Sequence, residues 1–88
     1  MPQSAQAKKR VRQDEVRRLH NRALRSSMRT AIRRVEEACE AKDETTARTA
    51  LVAAMKRIDK CAKRNIVHKN TASRKKSNLA KMVNKAGA

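Results

Sequence analysis

Five arginines, Arg18, Arg22, Arg25, Arg29 and Arg33, recur at steps of four, three, four and four residues. On an α-helix that spacing gathers them within about 80° and strings them along ~22 Å. A guanidinium keeps its charge, grips phosphate with two parallel hydrogen bonds and stacks flat on planar groups. An ordinary solvated helix face mixes signs, with acids three or four residues from the bases. Between Arg17 and Arg34 there is no acid at all. The chemistry this ridge can do is phosphate contact.

Two further basic groups flank it. Lys8, Lys9, Arg10 and Arg12 lie upstream, and Arg74, Lys75 and Lys76 lie near the other end of the chain. In helical phase Arg74, Lys81 and Lys85 fall on a narrow arc opposite an apolar stripe. A disordered basic tail would carry the same charge, but the apolar spacing favours a docked helix.

The remaining reactive side chains do not assemble into a site. Cys39, Cys61, His20 and His68 lack the clustered pairs of a zinc signature, so no metal is expected. In an antiparallel hairpin turning near Asp43, the two cysteines stand ~21 Å apart, beyond disulfide reach. Both fall on core stripes and behave as small hydrophobes. His20 sits among the bases and suits a hydrogen bond to phosphate or sugar. His68 lies in phase with the third helix's stripe, so partial packing near a helix start is at least as well supported as a phosphate contact. Glu36, Glu37, Glu40, Asp43, Glu44 and Asp59 are expected to cluster around the first hairpin. No Gly-rich loop cradles a nucleotide, so neither an enzyme, a cofactor nor a small-molecule substrate is expected.

Of 88 residues, 24 are Lys or Arg and 8 are Asp or Glu, a formal charge of +16. The excess sits in two blocks: residues 1–34 carry a net +9 and residues 63–88 a net +8, around a middle of −1. Self-repulsion on this scale opposes compaction and calls for a polyanionic partner. A chain of this length forms one small domain, residues 1–88, whose core supplies a few kcal/mol. It is therefore expected to be helical but loosely folded alone, and fully ordered on its partner. The absence of Phe, Tyr and Trp excludes modules that stack bases on aromatic platforms. Recognition is left to phosphates, sugar hydroxyls and the shape of a folded duplex surface. No apolar run is long enough to span a bilayer or serve as a signal-peptide core, so a cytoplasmic chain with reduced thiols is expected.

Pro2 and Gly87 are the only Pro and Gly, so nothing between them forces a break. The spacing predicts an all-α fold of three amphipathic helices running up, down and up. The first spans roughly 6–40 and packs through Leu24, Met28, Ala31, Ile32, Val35, Ala38 and Cys39, with the arginine ridge on the opposite side. The second spans roughly 45–64, capped by Asp43 or Thr45, and packs through Ala47, Ala50, Leu51, Ala54, Ile58 and Cys61. Asn65 ends it in the left-handed conformation. The third spans roughly 68–85, with Ala72, Leu79, Met82, Val83 and Ala86 inward. The first helix exceeds the second by about fifteen residues, so ~22 Å of it, residues 6–22, projects beyond the bundle. Val16, Leu19 and Ala23 lie off the stripe that Leu24 begins, as an overhang requires.

The stretches AKKRVRQDEVRRLHNRALRSSMRTAIRRV (7–35) and NIVHKNTASRKKSNLAKMV (65–83) resemble the bacterial small ribosomal subunit protein twenty family. The first carries Ala7, Lys8, Lys9, Arg10, Arg12, Gln13, Glu15, Arg17, Arg18, Asn21, Arg22, Arg25, Ser26, Arg29, Thr30, Ala31 and Ile32 at that family's motif positions. The second carries Ile66, His68, Lys69, Asn70, Ala72, Arg74, Lys76, Ser77 and Leu79. The likeness covers nearly the whole chain; residues 36–64 agree mainly in length and pattern, and Asn65 stands where the family commonly has Gly. The resemblance implies a three-helix bundle with an extended first helix. It also implies direct binding of 16S rRNA low on the 30S body, to the 5′ domain and the 3′ minor domain, early in assembly and with few protein contacts. Charge and periodicity by themselves reach only a structured nucleic acid. The candidate rRNA-binding residues are then Lys8, Lys9, Arg10, Arg12, Arg17, Arg18, His20, Asn21, Arg22, Arg25, Ser26, Arg29, Arg33, His68, Lys69, Asn70, Arg74, Lys75, Lys76 and Ser77.

Two other classes use basic helices. A DNA-compacting architectural protein would bind duplex DNA as well as folded rRNA. A membrane-active helix needs bulky interfacial side chains, which alanine-rich stripes lack.

Overall fold

A computed structural model describes residues 4–87; Pro2 and Ala88 lie outside them. Three helices make up the fold, α1 (Ala5–Glu40), α2 (Glu44–Lys63) and α3 (Lys69–Ala86), with no strand among the described residues. The all-α reading holds, and each helix boundary falls within one residue of its expected place.

Local chemistry sets those boundaries. Ser4 opens α1, its Oγ accepting from the Ala7 N–H at 3.1 Å. At the other end Lys42 takes a left-handed φ of 56°. Its N–H then donates to the Cys39 carbonyl, and the Asp43 N–H donates to that of Ala38. The same double closure ends α2: Asn65, at φ 59°, donates to Ala62, and Ile66 donates to Cys61. Asp43 caps α2, accepting from the Thr46 N–H at 3.2 Å and its hydroxyl at 2.6 Å. The hydroxyl, then the N–H, stabilise the ionised carboxylate and hold its pKa below the ordinary value.

His68 departs from expectation. It precedes α3 as its cap, Nδ1 accepting from the Asn70 N–H at 3.1 Å, and the residue is exposed rather than packed. An extended backbone at His68 puts its ring beside the free N–H groups of the first turn.

The core is built from Met28, Ala31, Val35 and Ala38 of α1, Ala47, Ala54, Ile58 and Cys61 of α2, and Ala72, Leu79 and Val83 of α3. Leu24, Ile32, Cys39, Ala50 and Leu51 pack around its edge. Five of the eleven buried side chains are alanine, so the helices approach closely while burying little area. The larger ones contribute about 1.5–3 kcal/mol each. Met82 is not among them: it lies about 80° round α3 from the line of Ala72, Leu79 and Val83, and is 38% exposed.

The hairpin of α1 and α2 forms the larger interface, and α3 lies against both, more on α2. The Cys61 Sγ sits 3.5 Å from the Leu24 carbonyl oxygen, so α2 ends level with Leu24. Burial raises the Cys61 thiol pKa, with Arg25 and Lys60 pulling the other way. Cys39 is fifteen residues farther along α1, or ~22 Å, so the two thiols stay apart. Beyond Leu24, towards the N-terminus, α1 runs on uncovered. From Ser4 to His20 every residue is exposed except Ala7, which is half-buried. Val16 and Leu19 are 67% and 54% exposed, which accounts for their place off the core stripe. The overhang explains the elongated shape, 64 Å by 22 Å by 16 Å.

Candidate nucleic-acid interface

The ridge arginines all lie on the surface of α1. Arg18, Arg22, Arg25, Arg29 and Arg33 line one shallow trough together with Arg17, Asn21, Ser26 and Thr30, and Asp14 sits at its outer end. The trough is not opposite the core. At 100° per residue its centre lies only about 120° round α1 from the core stripe. The diametrically opposite line falls near Ser26, which places a hydroxyl on the trough's edge.

Ion pairing separates surface charges that are engaged from those that are not. Arg48 pairs with Glu44 at 2.6 Å, and Arg57 donates to the Ser27 hydroxyl at 2.8 Å, tying α2 to α1. Arg18 meets Glu15 at 3.4 Å, a long and exposed contact worth little. Among the described residues, no side-chain hydrogen bond or ion pair engages Arg22, Arg25, Arg29 or Arg33. Four permanent charges are thus presented in a row with their donors unspent.

The other candidates fall into three places. Lys8, Lys9, Arg10 and Arg12 clothe the first turns of the overhang, and all are exposed. Lys69, Asn70, Arg74 and Ser77 are exposed on α3 and Lys75 is half-buried, with His68 at its start. Lys76 is already engaged: its Nζ donates to Asp59 at 2.8 Å, joining α3 to α2. That pair also corrects the expected acid cluster. Asp59 stands fifteen residues beyond Glu44, ~22 Å from the first hairpin. Glu36 and Glu40 do lie at the hairpin end, sharing a hollow with Lys85.

One residue absent from the sequence reading joins the basic surface. Arg64, the C-cap of α2 and first residue of the α2–α3 turn, lines a hollow with Lys9, Arg12, Gln13, Val16, Arg17 and His20 of the overhang. Nothing in the spacing of bases places Arg64 there. The register of α2 on α1 does, with Cys61 level with Leu24.

Fold and surface together define a class: small, all-helical, polycationic proteins with a thin core and a protruding basic helix. No described helix is long and apolar enough to cross a membrane.

Comparison with known proteins narrows the class. The sequence profile of the family described as Ribosomal protein S20 matches residues 2–84. Relatives bearing the name small ribosomal subunit protein bS20 include that of Rhodopirellula baltica, 49% identical over 86 residues, covering 98% of this chain and 96% of the relative. That of Bacillus licheniformis is 50% identical over 84 residues, 96% of each chain. That of Coxiella burnetii is 45% identical over 83 residues, 94% of this chain and 92% of the relative. The chain belongs to the ribosomal protein S20 family, a family of structural ribosomal proteins.

Proposed function

We propose that this chain is a structural constituent of the small ribosomal subunit that binds 16S rRNA directly and bridges RNA stems through Arg and Lys contacts to phosphate. Residues 1–88 act as one rRNA-binding unit in the cytoplasm, with no catalytic step, cofactor, metal or small-molecule substrate. The observation that carries the reading is the row of unpaired guanidinium groups on α1, set in a chain of +16. Each neutralised phosphate releases counterions, and a helix laid between stems lowers their mutual repulsion. Family membership favours rRNA over DNA as the polyanion. Lacking aromatic residues, the chain reads backbone and shape, which suits the sites where rRNA stems converge.

The 5′ domain and the 3′ minor domain are the proposed targets, bound early in assembly with few contacts to other proteins. Hydroxyl-radical footprinting on naked 16S rRNA tests this. Protection confined to those two domains is expected, and its absence at saturating protein overturns the reading.

A further inference from the structure

We infer that the open groove between α1 and α2 binds ribose, its free hydroxyl side chains taking the 2′-hydroxyls of RNA held on the arginine ridge. The groove thereby sets a preference for RNA over DNA, which the arginines alone do not give. The inference rests on the rRNA reading above and adds to it the group by which RNA is told from DNA.

Ser26, Ser27 and Thr30 of α1 and Thr45, Thr46 and Thr49 of α2 line the two walls of this groove. α3 packs on both helices yet lends it no residue, so this is the uncovered side of the hairpin. Among the hydroxyls lie Ala23, Ala31, Ala50 and Ala53, short side chains that hold nothing off the floor.

Phosphate is not what this groove takes. Its charged lining residues, Arg34, Arg57, Glu37 and Asp43, cancel, and Arg57 already donates to Ser27 at 2.8 Å. The Thr46 hydroxyl donates to Asp43 at 2.6 Å, and that of Thr49 to the Thr45 carbonyl at 3.1 Å. Among the described residues, no hydrogen bond engages the hydroxyls of Ser26, Thr30 or Thr45. Helical Ser and Thr can turn back onto the preceding turn, as Thr49 does. Ser26 and Thr30 do not, and each keeps one donor and two lone pairs for a ligand.

Continuity with the ridge identifies the occupant. Ser26 and Thr30 line both the groove and the arginine trough. They stand about 60° and 100° round α1 from the ridge's centre, an arc of roughly 5–10 Å on a helix ~10–12 Å across. With Cys61 level with Leu24, Thr45 falls level with Glu40, so the free hydroxyls spread over ~21 Å. That is the length of a polymer site. An A-form minor groove is wide and shallow and displays its 2′-hydroxyls, which matches a floor of short side chains beside a row of cations. A second copy of a +16 chain would be repelled.

The variant S26A/T30V/T45V removes three exposed hydroxyls and no charge, and far-UV circular dichroism checks that it stays helical. It is titrated against a transcript of the 16S 5′ domain and against duplex DNA of equal length. The ratio of RNA to DNA affinity should fall roughly tenfold or more, at about 2- to 12-fold per lost hydrogen bond. DNA affinity and both salt slopes should stay as they were. Scattered 2′-deoxy substitutions in the transcript should weaken binding of the unmodified chain at particular nucleotides, and the variant should be indifferent to them there. Equal losses on RNA and DNA, the same deoxy-sensitive nucleotides in both chains, or an unchanged ratio, as a protein helix in the groove would leave, overturns the inference. Tight binding of the transcript with no sensitivity to deoxy substitution overturns it too, and leaves the rRNA reading standing. If the unmodified chain did not bind the transcript at all, the rRNA reading itself would fall, and this one with it.

Discussion

Removing Arg22, Arg25 and Arg29 together should change how binding responds to salt, by an amount the structure fixes. Each is exposed, and none has a partner among the described residues, so alanine there costs the fold little. Surface substitutions of this kind stay within about ±0.5 kcal/mol, and alanine favours helix. Each phosphate neutralised on a duplex contributes ~0.9 to the slope of log K against log salt. Three lost contacts therefore make the slope shallower by about 2.7. Between ~50 and ~200 mM salt, a fourfold change, the unmodified chain should lose about 40-fold more affinity than the variant. Fluorescence titration against a transcript of the 16S 5′ domain at four salt concentrations gives both slopes. Parallel lines would show that these arginines do not touch phosphate, and the ridge would lose its role.

Three other outcomes follow from particular residues. Ile58 is wholly buried, so Ile58→Ala should cost about 2–5 kcal/mol. That is comparable to all a core this small supplies, so the variant should be unfolded by circular dichroism and regain helix with rRNA near 100 times its Kd, where ligand linkage returns about 2.7 kcal/mol. A cooperative melt like that of the unmodified chain would contradict this. Lys42 holds a positive φ, so Lys42→Gly should raise stability by roughly 0.5–1 kcal/mol in a denaturant titration, and no gain would mean the turn is unstrained. Asp43 titrates below its ordinary value near 3.8 because Thr46 donates two hydrogen bonds to the carboxylate. Its contribution to stability is present above that ordinary value and lost as pH falls through the lower folded value. Asp43→Asn should therefore flatten that part of the acid limb, and superimposable pH profiles would refute the cap's role.

The helices were legible because nothing in the chain contradicts them. With Gly and Pro confined to the extreme ends, apolar residues at helical spacing fix three segments, and Asp43 and Asn65 mark where they start and stop. The overhang was legible too, since Val16 and Leu19 fall out of phase with Leu24 onward. Side-chain detail was not. Lys42 has no residue-type reason to adopt a positive φ; the turn demands it so that Asp43 can cap α2. His68 matches the phase of α3, yet its ring serves better as a cap. Asp59 and Lys76 meet only because α3 folds back on α2, and Arg64 reaches the overhang because α2 ends level with Leu24. The angle between ridge and core follows from counting 100° steps, and places the arginines to one side of the outward face rather than at its centre.

Competition between polyanions tests the central claim most directly. At ~0.15 M salt, the unmodified chain should form a one-to-one complex with folded 16S rRNA that persists in a large excess of duplex DNA of equal length. Displacement of the rRNA by that DNA in proportion to its phosphate content would contradict it, leaving a basic helix bundle without a ribosomal preference.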